Sequence, residues 1–288
     1  MGLSQSKYIC HNGINIKADK PVLHYHNRGF RYGDAIFESI RSVGNQPLFF
    51  KEHYQRLTKG MKQLQFAVPE HFHMDYLYEL CEKLLTKNRI FKGGRLRITV
   101  YRESAGNYMP VENRISFIVE CEPVTTELFA LNKDGKNLGI YADDKVPINR
   151  FSNFKHANSL CYIMAGLFVK NNQYDECILL NENGHLCEAI SSNFFVYKKN
   201  ALFTPSLKEG CVDGIMRQKV IHLAKNNNIP VFENIPLLQQ DLINADEIFT
   251  TNAVKGIQWV LSYKDKRYYH TLATKLTGFL NREIEKMI

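Results

Sequence analysis

Strand-like and helix-like patterns alternate along most of this chain, and that alternation restricts it to folds that mix sheet and helix. The run Arg95–Tyr101 alternates polar and apolar side chains, which is typical of a half-buried strand. Tyr8–Ile16 places an Asn-Gly pair between two short apolar runs, a strong signal for a β-hairpin. Glu52–Gln65 and Met74–Lys87 instead carry apolar residues at helical spacing. We therefore predict an α/β fold.

The two predicted helices each have one apolar face that should be buried. The inward residues are Leu57, Met61 and Leu64 in the first helix, and Leu77, Leu80, Cys81, Leu84 and Leu85 in the second. Further strands are predicted at Leu48–Phe50, Arg114–Glu120, Glu176–Leu180, His185–Val196, Leu202–Pro205, Glu247–Thr251 and Ile257–Leu261, with a closing helix at Leu272–Ile288. Most of these short runs are rich in β-branched and aromatic residues, as strands are.

The domain organisation follows from length and from one linker-like run. The 288 residues are enough for two ordinary domains. Glu122–Thr126 has the composition of a linker. We predict a small N-terminal α/β domain over residues 1–121, a linker over 122–127 and a large C-terminal domain over 128–288.

Charge and cysteine usage bound the classes of partner. The net charge is +8, but the basic residues are scattered and accompany no DNA-binding or RNA-binding signature, so we expect no nucleic-acid partner. Seven cysteines without a C-x-x-C pair predict free thiols in a reducing compartment and no metal site. Met1–Lys7 lacks the apolar core of a signal peptide, and no apolar run could span a membrane. We expect a cytoplasmic protein.

Lys155 is the first candidate for chemistry. It lies where an irregular loop gives way to a helical pattern, in which Leu160, Ile163, Met164, Leu167 and Phe168 recur at helical spacing. A lysine at the mouth of an apolar helix is partly desolvated, which lowers the pKa of its amine and makes it available as a nucleophile or base. The alternative is a solvated surface lysine, the usual state of this residue type.

Two further features have both a functional and an ordinary interpretation. Glu188 is the only acid in the predicted strand 185–196; composition alone favours a glutamate that faces water, whereas a buried one would need a partner. Gly210–Gln218 is a glycine-bearing turn that begins a helix. Such a turn is a ready site for an anion, and also an ordinary helix start.

Taken together, these segments resemble the class IV (fold type IV) pyridoxal-phosphate enzymes: branched-chain aminotransferases, D-amino-acid aminotransferases and aminodeoxychorismate lyases. The resemblance covers nearly the whole chain. The segments that carry it are Arg28–Arg41, His53–Leu57, Lys155–Leu160, Glu188–Phe195, Gly210–Arg217 and Phe249–Val260. It implies a two-domain fold like that of D-amino-acid aminotransferase, a homodimer and the cofactor pyridoxal 5'-phosphate.

The resemblance also implies a role for each matching residue. Lys155 would hold the cofactor aldehyde as a Schiff base and shuttle the proton between the substrate Cα and the cofactor. Glu188 would pair with the pyridine nitrogen and keep it protonated. Arg56 and the backbone N–H groups of Ile215 and Met216 would hold the phosphate. The other matching cofactor positions are Ser191, Asn193, Asn252 and Ala253.

The substrate positions implied by the resemblance are Tyr32, Phe37, Ser39, Arg97 and Tyr108. Arg97 matches an arginine that meets the substrate carboxylate in branched-chain enzymes. The tyrosine that those enzymes have five residues after the lysine is here Leu160. The run Ala105–Tyr108 lacks the arginine found there in D-amino-acid enzymes and in the lyases.

Three functions remain open at this stage. The first is an aminotransferase that moves an amino group between an amino acid, of the branched-chain or D type, and a 2-oxo acid. The second is a lyase that forms 4-aminobenzoate and pyruvate from aminodeoxychorismate, which Asn158 and Asn252 favour. The third is a basic binding protein without catalysis, against which the joint presence of Lys155, Glu188 and Arg56 argues.

Overall fold

The computed structural model describes residues 7–288, and the chain divides into two compact units. The first unit holds the described residues up to Leu128 together with Phe154–Asn158 and Ile288. The second holds Phe129–Asn153 and Ser159–Met287. The segment with Lys155 thus groups with the N-terminal unit, whereas the predicted boundaries placed it in the C-terminal domain.

The first unit is built on a six-stranded sheet with three helices. In chain order its elements are β1 (Tyr8–His11), β2 (Ile14–Lys17), α1 (Arg28–Tyr32), β3 (Ala35–Val43), β4 (Gln46–Pro47), α2 (Phe50–Gln63), α3 (Met74–Lys87), β5 (Gly94–Arg102) and β6 (Ile115–Pro123). The sheet order is β2-β1-β6-β5-β3-β4, and the pairs are antiparallel. Antiparallel neighbours need only short turns, which suits the short connections of this half.

Local sequence signals explain most of these elements. Asn12 and Gly13 both have positive φ, as the two-residue turn of a tight hairpin requires, so the predicted hairpin is confirmed. The α3 helix has the predicted bounds, and its five predicted inward residues are buried. In α2, Leu57 and Met61 are buried and Leu64 packs at the edge of the same core.

The second unit contains a sheet of nine strands in its described residues, with four helices. Its elements are β7 (Lys136–Val146), α4 (Leu160–Asn171), β8 (Glu176–Asn181), β9 (Leu186–Ala189), β10 (Asn193–Lys198), β11 (Ala201–Phe203), α5 (Ile215–Asn226), β12 (Val231–Phe232), α6 (Gln239–Ile243), β13 (Glu247–Asn252), β14 (Gly256–Tyr263), β15 (Lys266–Arg267) and α7 (Thr271–Glu285). The order is β12-β11-β10-β13-β14-β7-β8-β9, with β15 on β14. The β14–β7 and β7–β8 pairs are parallel, so this sheet is mixed.

Three local predictions are wrong. The strand predicted at His185–Val196 is two strands, β9 and β10, because the chain turns between them, where the Ala189 N–H donates to the Ser192 carbonyl at 2.8 Å. No strand spans Leu48–Phe50, because Phe49 adopts a left-handed conformation and accepts the His53 N–H, which begins α2. Glu122 and Pro123 do not belong to a linker, because they continue β6 opposite Arg95 and Gly94.

Five elements were not predicted, among them the two-residue strands β4 and β15. Asn27 caps the short α1 helix by accepting the Phe30 N–H, and the amphipathic signal of five residues is too short to stand out. The long strand β7 ends in charged residues, which mask its pattern. The short α6 helix was likewise missed.

The α4 helix is apolar on two faces. Ala165 is buried, and Phe168 packs against the core of the second unit. The row Leu160, Ile163, Met164 and Leu167 is instead exposed, Leu160 by 78%. Helical spacing therefore predicted the helix correctly, but most of the apolar row that revealed it faces outward.

All seven cysteines are free thiols. Within residues 7–288, no helix combines the length and the apolar character needed to cross a membrane. The polar N-terminal run that argued against a signal peptide lies outside the described residues, apart from Lys7.

Candidate active site

The predicted site residues are divided between the two units. The first unit holds Tyr32, Phe37, Ser39, Arg56, Arg97, Tyr108 and Lys155. The second unit holds Glu188, Ser191, Asn193, Ile215, Met216, Asn252 and Ala253. Each group has its own geometry.

The backbone around Lys155 lies along β3 like a short extra strand. The Phe37 N–H donates to the Lys155 carbonyl at 2.8 Å, and the Ala157 N–H donates to the Ala35 carbonyl at 2.9 Å. These bonds belong to an antiparallel bridge between Ile36 and the residue after Lys155. The sheet therefore fixes the backbone from which the Lys155 side chain extends.

The α2 helix packs closely against the segment that carries Lys155. A Cβ on Gly60 would lie 2.1 Å from the Ile36 Cδ1 atom and 3.3 Å from the Phe154 ring. Only glycine lets the helix approach this closely. The contact holds Phe154, next to Lys155, in the core of the first unit.

The Phe37 ring is the common neighbour of two basic side chains. Lys155 Nζ lies 4.8 Å from the ring centroid, and the Arg97 guanidinium carbon lies 3.6 Å from it. Ser39 and Arg97 are directly opposed in the β3–β5 pair, so they share the sheet face of Phe37. The structure thus brings four predicted residues together: Lys155, Phe37, Ser39 and Arg97. Burial lowers the pKa of Arg97, and Glu120 at 3.8 Å opposes that effect.

Arg56 lies in a buried cluster of charged groups in the first unit. Its Nε–H donates to Oε1 of Glu38 at 2.8 Å, and its Nη2 contacts Oε2 of the same carboxylate. The His53 Nδ1 atom is 2.7 Å from Glu38 Oε2. Glu38 is 1% exposed, and all three side chains are buried. The bidentate contact fixes the plane of the Arg56 guanidinium.

The charge states of this cluster follow from its contacts. Burial raises the pKa of Glu38, but Arg56 and His53 together outweigh burial and hold that pKa at about 2. Burial lowers the pKa of His53, and the Glu38 contact only partly offsets it. At neutral pH we therefore assign a carboxylate, a guanidinium and a neutral imidazole that donates through Nδ1.

Tyr32 and Tyr108 form a second group in the first unit. Their ring centroids are 5.4 Å apart, and the Tyr32 hydroxyl donates to Asn107 at 3.3 Å. Arg28 is buried and donates to the carbonyls of Gly106 and Asn107, which ties down the loop that carries Tyr108. Tyr108 itself is 89% exposed, so the described residues do not place it against Phe37 or Lys155.

Glu188 is buried in the second unit. Only 3% of it is exposed, so the expectation from composition that it faces water is wrong. The Tyr162 hydroxyl donates to its Oε1 at 2.7 Å, and the Val212 N–H donates to its Oε2 at 3.0 Å. A buried carboxylate with a donor on each oxygen has a fixed orientation.

The N-terminus of α5 lies beside β10. Gly214 is its N-cap and supplies no side-chain cap, so helix geometry leaves the N–H groups of Ile215 and Met216 without intrahelical partners. A Cβ on Gly214 would lie 1.9 Å from Asn193 Oδ1, so a larger residue there would displace the Asn193 side chain. Asn193 Nδ2 donates to the Val212 carbonyl at 2.8 Å, which links this turn to the one that holds Glu188.

The end of β13 adds polar groups next to this helix start. Thr251 pairs with Asn193 across the sheet, and its buried Oγ1 has no protein partner among the described residues. Asn252 Nδ2 donates to Ser192 Oγ at 3.1 Å, and its Oδ1 accepts the Val254 and Lys255 N–H groups. Asn252 thus shapes the turn that contains Ala253. Ser191 is exposed, and Asn252 contacts its neighbour Ser192 instead.

Several residues of the site were missed at the sequence level. Glu38 and His53 flank Arg56 in space; the i, i+3 spacing of His53 and Arg56 on α2 was the available signal. Tyr162 lies in the first turn of α4 and packs on its inward side. Thr251 had no local signal, because its partnerless oxygen is visible only in the fold.

Comparison with known proteins identifies related sequences. Residues 35–263 match the family model of amino-transferase class IV. An aminodeoxychorismate lyase of Bacillus subtilis is 29% identical over 251 residues, which is 85% of this chain and 83% of that protein. A branched-chain-amino-acid aminotransferase of Escherichia coli K12 is 28% identical over 270 residues, which is 91% of this chain and 86% of that protein.

A solved structure shares the fold. The crystal structure of a branched-chain amino acid aminotransferase of Escherichia coli superposes with a TM-score of 0.85 at 24% identity, and the match covers 94% of this chain and 92% of that one. This likeness establishes the fold type IV architecture predicted from the sequence.

Proposed function

The chain belongs to the class IV amino-transferases, and from that premise we propose that it moves an amino group between an amino acid and a 2-oxo acid. Enzymes of this family depend on pyridoxal 5'-phosphate. The observation that carries the proposal is the contact of Lys155 and Arg97 with one and the same ring, that of Phe37. It provides a reactive amine and a carboxylate partner on one face of a single sheet.

The substrate that this arrangement favours has one carboxylate beside its amino group. Arg97 offers a partly desolvated guanidinium, which binds a carboxylate more strongly than a solvated one does. The loop Ala105–Tyr108 has no arginine for a second carboxylate. Burying an unpaired carboxylate is costly, so we infer a monocarboxylate amino acid.

The residues of the second unit fit a phosphorylated pyridine cofactor. The buried Thr251 Oγ1 has no hydrogen-bond partner among the described residues. The N-terminus of α5 offers backbone N–H groups to an anion. Glu188 is a buried carboxylate of fixed orientation, as a cationic ring nitrogen requires. We assign the phosphate to Ile215, Met216 and Arg56, and the ring nitrogen to Glu188.

The mechanism follows from what these side chains do. When bound, the cofactor supplies an electron sink that makes the substrate Cα proton acidic. Lys155 would hold the cofactor covalently and then move that proton at Nζ. Arg97 would orient the substrate by its carboxylate, so that the Cα–H bond faces Lys155. Glu188 would hold a proton on the ring nitrogen, and Arg56, oriented by Glu38, would anchor the phosphate.

The lyase alternative has weaker structural support. Asn158 and Asn252 favoured it at the sequence level. In the structure Asn158 Nδ2 donates to the Gly33 carbonyl at 3.3 Å, and Asn252 bonds to the backbone of the next turn. Both asparagines hold backbone segments in place, which an aminotransferase needs as much as a lyase does.

We also propose that the enzyme is a homodimer that buries the outer face of α4. That face consists of Leu160, Ile163, Met164 and Leu167, and all four are exposed. A helix that is apolar on both faces is normally covered on both. Sedimentation should give twice the chain mass for the wild type and a monomer for I163D/L167D.

The test of the reaction is a half-reaction in the absence of any 2-oxo acid. Protein reconstituted with pyridoxal phosphate is mixed with a panel of L- and D-amino acids, one at a time, and its absorbance is followed. An aminotransferase converts its cofactor stoichiometrically with one donor alone, and an added 2-oxo acid reverses the change. Lys155→Ala is the control that should not reach the pyridoxamine form within the assay, because it lacks the amine that moves the Cα proton.

One outcome would reassign the enzyme. If no amino acid changes the spectrum, while aminodeoxychorismate yields pyruvate and 4-aminobenzoate, the enzyme is a lyase. If the cofactor does not bind at all, the proposal of pyridoxal-phosphate chemistry itself fails.

The variants Arg97→Leu and Arg95→Leu test the role of Arg97 in substrate binding. We expect Arg97→Leu to raise KM for the amino donor by about tenfold to a hundredfold, because one charge-assisted contact is lost. Arg95 lies two residues away on the same sheet face and pairs with Glu122 at 3.6 Å. Arg95→Leu should leave KM unchanged; equal effects of the two changes would remove Arg97 from the substrate site.

A further inference from the structure

Tyr162 lies on α4 and reaches the carboxylate assigned to the cofactor ring. Its hydroxyl donates to Glu188 Oε1 at 2.7 Å. The Val212 N–H donates to the other oxygen at 3.0 Å. Of these two donors, the Val212 N–H belongs to the backbone and the Tyr162 hydroxyl to a side chain. A substitution can therefore remove the Tyr162 bond alone.

The hydroxyl of Tyr162 is protonated at neutral pH. Burial raises its pKa, and the charge of Glu188 raises it further, well above the ordinary value of 10.0. A phenol that keeps its proton is a permanent donor to Glu188.

We infer that Tyr162 is a positioning residue that acts through Glu188 to keep the cofactor's proton on its pyridine nitrogen. The inference rests on the proposed function, because it takes Glu188 as the partner of that nitrogen. Tyr162 itself contacts the carboxylate and is not assigned any contact with the cofactor.

The physical reason is competition for one proton. A proton shared between a pyridine nitrogen and a buried carboxylate moves to whichever site is the stronger base. A hydrogen bond donated to a carboxylate stabilises its charged form and weakens it as a base. With a donor on each oxygen, Glu188 therefore leaves the proton on the ring, where it increases the electron-withdrawing power of the ring.

The position of Tyr162 on α4 explains why its side chain can reach Glu188. Leu160, five residues after Lys155, faces outward, whereas Tyr162 is two positions further along and turns inward. Successive helical residues are separated by about 100°, so a shift of two positions changes the face. The Tyr162 side chain packs with the core residues around Cys187 and reaches Glu188 from there.

The experiment locates the proton directly. Cofactor labelled with ¹⁵N at the ring nitrogen is bound to wild type, to Y162F and to the control Y268F, and ¹⁵N NMR spectra are recorded at one neutral pH. Tyr268 is a buried tyrosine of the same unit whose hydroxyl donates to the Leu242 carbonyl at 2.8 Å. Y268F therefore loses a comparable hydrogen bond away from Glu188.

The expected result separates the variants. Wild type and Y268F should show the resonance of a protonated ring, and the Y162F resonance should move toward that of unprotonated pyridine. Turnover of Y162F should fall about tenfold, while its cofactor dissociation constant should change by less than about threefold. An unmoved Y162F resonance overturns the inference, and a wild type that binds no cofactor overturns the proposed function instead.

If Y162F does not fold, a second measurement tests the same inference. Wild-type protein is then prepared with 3-fluorotyrosine, whose more acidic hydroxyl is a stronger donor. The ring-nitrogen resonance should hold its protonated position to a higher pH than in ordinary wild type, opposite to the effect of losing the donor. A transition at the same pH overturns the inference.

Discussion

Two buried glutamates, one in each unit, are held in different ways. Glu38 on β3 binds the Arg56 guanidinium through both oxygens and also contacts His53. Glu188 on β9 accepts from a tyrosine hydroxyl and from a backbone N–H, both of which are neutral. A guanidinium offsets the charge of its carboxylate, whereas these two neutral donors orient the Glu188 carboxylate without offsetting its charge.

This difference separates a structural carboxylate from a chemical one. The cluster of Glu38, His53 and Arg56 fixes an arginine, so its loss should appear in stability. The contacts of Glu188 fix a negative charge, so its loss should appear in chemistry. The same substitution, carboxylate to amide, should therefore have opposite signatures at the two positions.

The largest effect on stability is expected at Glu38. Glu38→Gln leaves the Arg56 charge buried without its carboxylate, which should lower the free energy of unfolding by about 3–5 kcal/mol. Urea denaturation of the cofactor-free protein measures this. Glu79→Gln, in an exposed pair with Lys83, is the control and should leave the unfolding curve in place. A Glu38→Gln curve that overlays the wild type would show that the cluster is not a structural one.

Glu188→Gln should reverse this pattern. Its turnover should fall about a hundredfold or more, equivalent to about 2.7 kcal/mol, because an amide cannot hold a proton on the ring nitrogen. Its unfolding free energy should change by less than about 2 kcal/mol, since an amide oxygen can still accept from the Tyr162 hydroxyl or the Val212 N–H. Single-turnover rates at saturating cofactor, with urea curves on the same samples, make the comparison. Near-normal turnover would move the role of Glu188 to another residue.

The smallest expected effect is a loss of stability at acid pH, which arises from ionisable groups of the first unit. Burial lowers the pKa values of His53 and His156 in the folded state, so protonation favours the unfolded chain. Stability should therefore begin to fall as the pH drops below about 6.5. Glu38, with a pKa held at about 2 against an ordinary 4.5, should add a second loss as the pH falls from 4.5 toward 2.

Two variants resolve this profile. Glu38→Gln should lack the second loss, and His53→Gln should have a smaller first loss. His222→Gln, at an exposed position, should retain both losses. A wild-type unfolding free energy that stays constant from pH 7 to pH 5 would contradict the assignment of neutral buried histidines.

The sequence was most informative where local signals are strong. The α3 helix was predicted with its observed bounds, because its amphipathic pattern is long and its ends are polar. The Asn12–Gly13 hairpin was predicted because its turn admits few residue types. The strand β7 was missed because its last residues are charged and exposed, and its register is set by parallel pairing with β8.

The site was predictable only in part. Lys155, Glu188 and Arg56 were found through the resemblance, since single residues of these types are common. Their supports were not found, because Glu38 meets Arg56, and Tyr162 meets Glu188, only through tertiary packing. The outward face of α4 shows the same limit: helical spacing identifies an apolar row but not what covers it.

Reduction of the reconstituted protein with borohydride, followed by peptide mapping, tests the account most directly. Both glutamates have been assigned by reference to a cofactor attached at Lys155. Borohydride fixes such a cofactor irreversibly to its lysine, and the chain has other lysines that serve as internal controls. The account predicts one stoichiometric label on the peptide that contains Lys155, and none in Lys155→Ala. A label on a different lysine, or no stable label on the wild type, would contradict it.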